Sequence, residues 1–450
     1  MPFFQYQFNN MKLSQFNNAI ALKDKFLLYN ALSNRYLVVE PLLNELVESA
    51  RLNGNIDELL DYHPGFYQSL HKNGFIVENE TDEIEVVKQM RQQVDIEDDT
   101  QYQLVINPTM NCNFKCWYCY ESHEKGSKMD TPTIENVKKH ITHVVESMPR
   151  LKNFHISWFG GEPLLYFEQV IVPVMEYVKT LFAHRTVSFS TGFTTNGFLI
   201  NPSMFDAFQS YHITNFQITL DGNKKLHDAV RFVSARRGSY DDIIENVLSL
   251  CRNQLSVSIR INYTATNLKE LEEIVHDLLP LEDDFRPYLR ISFHKVWQEK
   301  DVTLIGRVRE LHRFFRSQGF NTTFGDVDLP DTVRNSCYAD KKNHATINYN
   351  GEVFKCTARN FSSGSKEGEL NTDGSITWNE KYYNRLDVKF KNKPCLSCSI
   401  LPICNGGCSQ EAIEHLHEDY CMYDFDEQRK KGVILNKFLN MANTRVTANS

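Results

Sequence analysis

The sequence predicts an α/β protein: a partial (β/α)6 barrel of parallel strands, preceded by a small α+β domain and followed by a cysteine-rich segment. Three observations predict it. Between residues 101 and 324, short apolar runs alternate with longer stretches of helical periodicity, which is how repeated strand-helix units read. The first hundred residues hold none of the eleven cysteines. Seven fall between Cys337 and Cys421, in a stretch dense in glycine and poor in aliphatics, where bound metal is expected to replace a conventional core.

Size and composition narrow the function classes. A chain of 450 residues exceeds one compact core and fits two or three domains. Hydrophobic residues at 41% and charged residues at 24% exclude a disordered chain, and no apolar run approaches the roughly 18 residues of a membrane span. The 49 Lys and Arg against 57 Asp and Glu leave a net charge of −8, which argues against general attraction to nucleic acid or anionic membranes. The start, MPFFQYQFNN, has no export signal, so the cytoplasm is expected, where clustered cysteines bind metal more often than they form disulfides.

In residues 1–78 two strands, Lys25 to Asn30 and Arg35 to Glu40, flank a turn at Ala31-Leu32-Ser33-Asn34. Pro41 opens a helix with Leu42, Leu43, Leu46 and Val47 on one face. Phe66, Leu70 and Phe75 mark a later helix ending near Asn73-Gly74, before a short strand at Gly74 to Val77. Residues 79–100, rich in acidic residues and glutamine, read as a linker or exposed helix. Six strands then occupy the barrel segment, 101–324: Tyr102 to Asn107, Phe154 to Phe159, Val187 to Thr194, Asn215 to Leu220, Val257 to Tyr263 and Leu289 to Phe293. Right-handed crossovers place chemistry at their carboxyl ends. Residues 325–421 form the cysteine-rich segment and 422–450 a tail, with a helix over Tyr423 to Asn443.

The motifs fall at the strand ends. Cys112, Cys116 and Cys119 sit within eight residues after the first strand. Three thiolates can hold three irons of a 4Fe-4S cluster and leave the fourth open, or can bind zinc if His123 supplies a fourth ligand. Gly160-Gly161-Glu162-Pro163 comes after the second strand, a composition that an ordinary strand-to-helix turn also uses. Thr194-Thr195-Asn196-Gly197 comes after the third, and Thr219-Leu220-Asp221-Gly222 after the fourth, with His227, Asp228 and Arg231 beyond. Asp221 is placed to accept hydrogen bonds or to cap the next helix. Arg260 and Asn262, two apart on the fifth strand, point the same way, into the barrel or toward solvent. The second array is Cys337-x13-Gly351-x4-Cys356, then Cys395-x2-Cys398-x5-Cys404-x3-Cys408-x12-Cys421. Paired structural zinc would use similar spacings.

The CxxxCxxC loop with its GGEP, TNG and T-x-D-G companions resembles the radical S-adenosylmethionine (SAM) enzymes, and the second array resembles their SPASM domain. The resemblance implies a 4Fe-4S cluster on Cys112, Cys116 and Cys119 whose open iron chelates SAM, giving a 5′-deoxyadenosyl radical on reductive cleavage. It gives Tyr118, Gly160, Gly161, Glu162, Asn196, Thr219, Asp221 and Arg231 to SAM binding, with Glu162 in the segment that engages the methionine amino group and Arg231 toward the carboxylate. Two auxiliary clusters are implied, one on Cys337, Cys356 and Cys408, the other on Cys395, Cys398, Cys404 and Cys421, able to accept the electron released on bond formation. Asp331 stands where fully ligated relatives have a further cysteine, and Cys251 reads as a buried small apolar residue.

The amino-terminal domain resembles winged-helix peptide-recognition domains, whose free strand edge can take up a leader peptide; the alternative is a domain that only packs on the barrel. The resemblance implies a peptide maturase that abstracts a hydrogen atom from a ribosomal precursor peptide and forms a thioether, C–C or C–O crosslink. Its implied partners are that peptide with its leader and a reduced flavodoxin- or ferredoxin-like electron donor. The alternatives are sulfatase maturation, which Thr357 disfavours because relatives carry an aspartate base at that position, and a zinc-binding adaptor.

Overall fold

The computed structural model describes residues 10–299, 301, 303–324 and 332–448. They form two compact units. The first gathers 10–97, 332–342 and 384–448, and the second gathers 98–324 and 343–383.

In the first unit β1 (Met11–Leu13) pairs antiparallel with β5 (Ile76–Glu78), and β2 (Asn17–Ala21), β3 (Phe26–Asn30) and β4 (Arg35–Val39) form an antiparallel sheet in that order. The β3–β4 hairpin is the predicted one, and Asn34 takes the left-handed conformation (φ 57°) that closes its turn. Strand β2 escapes sequence reading because Asn-Asn-Ala-Ile-Ala has little strand propensity; its pairing with β3 makes it a strand. Helices Pro41–Asn53 and Pro64–Lys72 come next, the first stopped by left-handed Gly54 and the second capped by His63 Nδ1, which accepts from Phe66 N at 3.1 Å.

Of the two readings of 79–100, linker or exposed helix, the structure has the helix, with one face buried. Helix Glu83–Arg91, capped by Asp82, runs into a π-helical turn at Gln92–Glu97. Val87 is fully buried, and two acidic side chains go in with it. Glu83 accepts from Ser14 Oγ and Gln15 N, and Asp95 accepts from Ser336 Oγ. Polar composition hid the burial of its face, because Glu83 and Asp95 Oδ1 find donors far away in sequence.

The expected self-contained cysteine-rich domain over 325–421 is corrected. Its aliphatics concentrate at Ile400, Leu401 and Ile403, which share a core with Phe16, Leu27, Tyr29, Val87 and Ile434 of the same unit. Metal does not stand in for an absent core; the amino-terminal residues complete it. The terminal helix runs Glu427–Ala448.

The second unit is built on β6 (Gln101–Ile106), β7 (Asn153–Trp158), β8 (Ser188–Thr195), β9 (Ile213–Leu220), the small ribbon of β10 (Phe232–Ser234) and β11 (Arg237–Gly238), β12 (Ser256–Tyr263) and β13 (Leu289–Lys295). Beyond them lie β14 (Asn321–Phe324), β15 (His344–Ile347), β16 (Glu352–Phe354), β17 (Gly368–Leu370) and β18 (Ile376–Trp378). The sheet order is β14-β13-β12-β9-β8-β7-β6-β15-β16-β17-β18. The six predicted strands lie parallel in chain order, each end within two residues of its expected place. Two further parallel strands, β14 and β15, extend the series, and an antiparallel meander completes it. Residues 343–383, expected in the cysteine-rich segment, therefore belong to the barrel sheet: buried His344–Ile347 pairs with β6 from His344↔Gln103 onward.

The sheet's two faces differ in chemistry. Leu104, Ile106, Phe154, Ile156, Trp158, Phe216, Ile218 and Ile259 pack under helices Thr131–Ser147, Val172–Phe182 and Tyr240–Arg252. Cys251 is fully buried there, as a small apolar side chain. The alternate positions carry His155, Ser157, Thr194, Gln217 and Ser258 around a cavity of about 310 Å³. The lumen is polar and unfilled.

His140 ties helix Thr131–Ser147 to the meander. Its Nδ1 lies 2.8 Å from Gly374 O and its Nε2 2.8 Å from the Tyr102 hydroxyl, so the neutral ring donates through Nδ1 and accepts through Nε2. Burial pushes its pKa down to about 4. Below about pH 6.5 the unfolded chain takes up a proton that folded His140 refuses until about pH 4, so stability falls as pH drops through that window. The effect is roughly 3 kcal/mol, and His140→Gln should flatten the pH dependence of urea unfolding between those limits. Equal slopes in parent and variant would contradict it.

Candidate active site

The loop after β6 is pinned before it reaches the cysteines. Thr109 Oγ1 donates to Ser127 O at 2.6 Å and accepts from Asn111 N at 2.8 Å, and buried Phe114 packs against Phe198. Cys112 Sγ accepts from Phe114 N at 3.4 Å, and Cys119 Sγ lies 3.6 Å from His123 Nε2. Burial pushes the Cys112 thiol up to about 12, the Cys119 thiol up to about 11, and Cys116 upward as well. These thiols stay protonated until a metal displaces the protons.

Among the described residues, no three His, Cys, Asp or Glu side chains converge on a point where one metal ion could sit. A single-ion site of the zinc type needs that convergence, whereas ligands of a cubane cluster each meet a different iron and surround a volume.

The GGEP segment is pressed against this loop. Gly160 (φ 80°) and Gly161 (φ 49°) are both left-handed, and a Cβ on Gly161 would stand 2.2 Å from Asn111 O. Only glycine permits that approach. Two hydrogen bonds seal it: Glu162 N donates to Asn111 O at 2.9 Å, and Gly161 N to Glu121 Oε2 at 2.7 Å. Burial pushes the Glu121 carboxyl up to about 7.

Glu162 follows next in the chain. Its fully buried carboxylate is turned inward, accepting from Leu164 N (3.0 Å), Thr195 Oγ1 (2.8 Å) and Asn196 N (2.8 Å). Asn196 Nδ2 in turn donates to Asn113 Oδ1 at 2.7 Å, so the cysteine loop, GGEP and the TNG turn form one hydrogen-bonded body.

A second network faces the loop from β9 and β12. The Tyr118 hydroxyl donates to Asp221 Oδ1 at 2.5 Å and accepts from Arg231 Nη2 at 2.7 Å and Asn262 Nδ2 at 3.2 Å. Arg231 Nε bonds Asp221 Oδ2 at 2.7 Å, a buried ion pair. Arg231 thus meets a carboxylate of its own chain, and both Asp221 oxygens are engaged. Asp221 does not cap the next helix; Asn223 does, accepting from Leu226 N at 3.1 Å. Arg260 Nε donates to Asn262 Oδ1 at 2.9 Å, and Thr219 stands opposite Arg260 in the β9–β12 register, so these residues share the lumen face.

Sequence reading missed Glu121, Asn113 and Asn267, whose Nδ2 bonds the Asp221 and Asn262 carbonyls. All three lie at positions that no spacing rule marks.

The second cysteine array divides between the units. Cys395, Cys398, Cys404 and Cys421 line one small concavity of about 30 Å³, with Gly406, Gly407, Tyr420 and Tyr423. Asn405, Gly406 and Gly407 are left-handed in succession (φ 52°, 69° and 78°), which turns the chain sharply between Cys404 and Cys408. Cys337 and Cys408 also belong to the first unit and Cys356 to the second. Asp331 lies outside the described residues.

Residues 106–278 match the model of the Radical SAM superfamily. Those residues form a radical SAM domain, an enzyme domain whose cofactors are a 4Fe-4S cluster and SAM. The mycofactocin maturase MftC of Mycobacterium ulcerans is 25% identical over 326 residues, covering 67% of this chain and 80% of that protein. Native anSMEcpe with bound AdoMet and Cp18Cys peptide superposes with a TM-score of 0.58 at 17% identity over 77% of this chain and 99% of its own. Streptococcus suis SuiB bound to precursor peptide SuiA gives 0.53 at 17% over 90% and 97%. Coverage varies, for the chain spans only 44% of the length of another curated relative.

The donor set fits the group: three soft thiolates on one loop held in place by a glycine contact and a buried polar network. Replacing Cys112, Cys116 and Cys119 together by Ala should remove about four irons per chain and abolish SAM cleavage. Undiminished 5′-deoxyadenosine release would contradict the assignment. Gly161→Ala should cost about 3 kcal/mol and lower iron retention, because the loop must move. Gly126→Ala, equally left-handed but with open space around its Cβ, should cost about 1 kcal/mol and keep the iron. Urea midpoints and iron assays of the two variants check the contrast.

Proposed function

We propose that the chain is a radical SAM maturase that takes a hydrogen atom from a ribosomally made precursor peptide and closes a thioether, C–C or C–O crosslink. The observation that carries this reading is the cysteine loop held by two hydrogen-bonded networks at the carboxyl ends of the strands, in a sheet whose same polar face opens into a cavity toward the amino ends. Bound at Cys112, Cys116 and Cys119, the cluster and SAM supply the hydrogen-abstracting radical. The chain's own residues do the rest. Glu162 and Asn196 hold the loop rigid, and Tyr118, Asp221, Arg231 and Asn262 wall the site with groups already satisfied by one another. His155, Ser157, Thr194, Gln217 and Ser258 leave room for a peptide segment in the lumen.

Peptide as the substrate class is supported by the names of the relatives, one a maturase and one solved with its precursor peptide. It is supported also by β4, an edge strand that among the described residues pairs with β3 alone, with Val38 and the adjoining Leu42 exposed, where an extended leader could add as a fourth strand. A reduced flavodoxin- or ferredoxin-like protein completes the reading as electron donor, and the cytoplasm is its place. No described helix is long and apolar enough to cross a membrane. Thr357 offers no base beside Cys356, which disfavours formylglycine formation.

The test is anaerobic incubation of reconstituted enzyme, SAM and reductant with the peptide encoded by a small reading frame beside the gene. Loss of two hydrogens from the peptide by mass spectrometry is the expected result. SAM turnover with an unaltered peptide would reject that peptide as substrate, and failure of every neighbouring peptide would reject the reading. For the leader, Val38→Pro should weaken peptide binding about tenfold while uncoupled SAM cleavage stays at the parent rate. Unchanged affinity in a titration would remove β4 from recognition.

A further inference from the structure

Burying an ammonium group is costly unless its charge is answered, and Lys389 is buried. Its Nζ donates to Asn405 O at 2.9 Å and to Gly407 O, and stands 3.2 Å from Asp340 Oδ2. The contact with Asp340 is an ion pair outside hydrogen-bond geometry, because neither Asp340 oxygen has a hydrogen-bond partner. Asp340 is as deeply buried as Lys389.

The two carbonyls belong to the left-handed run between Cys404 and Cys408. A neutral amide or a backbone N–H could hold them at far lower desolvation cost. What the lysine adds is charge, placed under the loop that carries one of four thiols lining the concavity.

We propose that Lys389 is a fixed positive charge that raises the reduction potential of an iron-sulfur cluster held by Cys395, Cys398, Cys404 and Cys421, and that Asp340 sets how much of that charge the cluster feels. This rests on the reading of those four cysteines as cluster ligands. A cluster on four thiolates becomes more negative on reduction, so a nearby cation favours the reduced form and a nearby anion opposes it. At an effective dielectric near 20 a full charge about 12 Å away changes such an equilibrium by about tenfold, and a nearer charge partly cancelled by Asp340 acts on that same scale. Lys389 is then a positioning residue for charge rather than a group that touches substrate.

The test uses the full-length reconstituted protein and two variants, Lys389→Met and Asp340→Asn, with redox titration monitored by electron paramagnetic resonance. In Lys389→Met one cluster should become about tenfold harder to reduce, 59 mV for one electron. In Asp340→Asn the same cluster should become easier to reduce, because Lys389 loses its counter-charge. Opposite signs are the signature of charge, since a merely structural loosening would not give them. Shifts of one sign, or unchanged potentials at full iron content, would overturn the proposal. Lys389→Met leaves two carbonyls and a carboxylate without their cation and can fail to hold iron; Asp340→Asn keeps the shape and then carries the test alone. Loss of the cluster from both variants would also overturn it and make Lys389 a scaffold for the loop. The ligand reading fails separately, if Cys395→Ala and Cys421→Ala leave the parent's iron content and spectrum unchanged.

Discussion

The site depends on the approach of one backbone to another. Gly161 meets the Asn111 carbonyl at a distance no side chain could share, and the arrangement around the cysteine loop is built on that contact. Once the two segments touch, Glu162 N reaches Asn111 O and Glu121 reaches Gly161 N. The Glu162 carboxylate, now in the interior, has to find donors, and it takes them from Leu164, Thr195 and Asn196. A buried carboxylate with three donors resists displacement because removing any one strands the rest. Rigidity here is chemically useful, since three thiols must surround a cluster whose fourth iron stays open.

Polarity on one face of the sheet does the complementary work. A barrel filled by branched aliphatics is a packed core, but here the lumen side carries His, Ser, Thr, Gln and Asn while the aliphatics face the helices. His155 spans Ser190 and Ser157, and Asn262 spans Arg260 and Tyr118, so lumen residues satisfy one another along and across strands. Such a surface tolerates an empty cavity better than an apolar one, because water can occupy it until a substrate arrives. The same alternation links the cavity at the amino ends of the strands to the networks at their carboxyl ends.

Much of this was legible in the sequence. The six core strands were readable because each is an apolar run bounded by turn residues, and the cysteine, GGEP, TNG and T-x-D-G motifs lie at the strand ends where their positions in the sequence put them. What stayed hidden has physical causes. Strand β2 depends on a partner rather than on propensity, and β15 and the meander sit in a stretch whose cysteines suggested a different kind of structure. The helix at Glu83–Arg91 buries carboxylates, which composition counts as exposed. Side-chain roles were the least legible: that Glu162 turns inward and Arg231 meets Asp221 is decided by burial and by which donors lie near, neither of which a motif records.

The first unit shows why sequence boundaries and physical boundaries part company. Phe16, Leu27 and Tyr29, on or beside strands of the hairpin sheet, lie in one core with Ile400, Leu401 and Ile403, which sit between Cys398 and Cys404. Asn18 is hydrogen-bonded to Ser399 on both sides of its amide. The stretch that holds four thiols is therefore anchored by the residues that support the free edge of β4. A peptide pairing with that edge would add its backbone hydrogen bonds to a sheet whose underside is the floor of the cysteine loop. Neither part folds as a detachable module, since cutting the chain after β5 would expose the apolar faces of both. If β4 takes up a peptide and the four thiols hold metal, as proposed, both draw on one hydrophobic core, and a mutation that loosens the core should be felt at both.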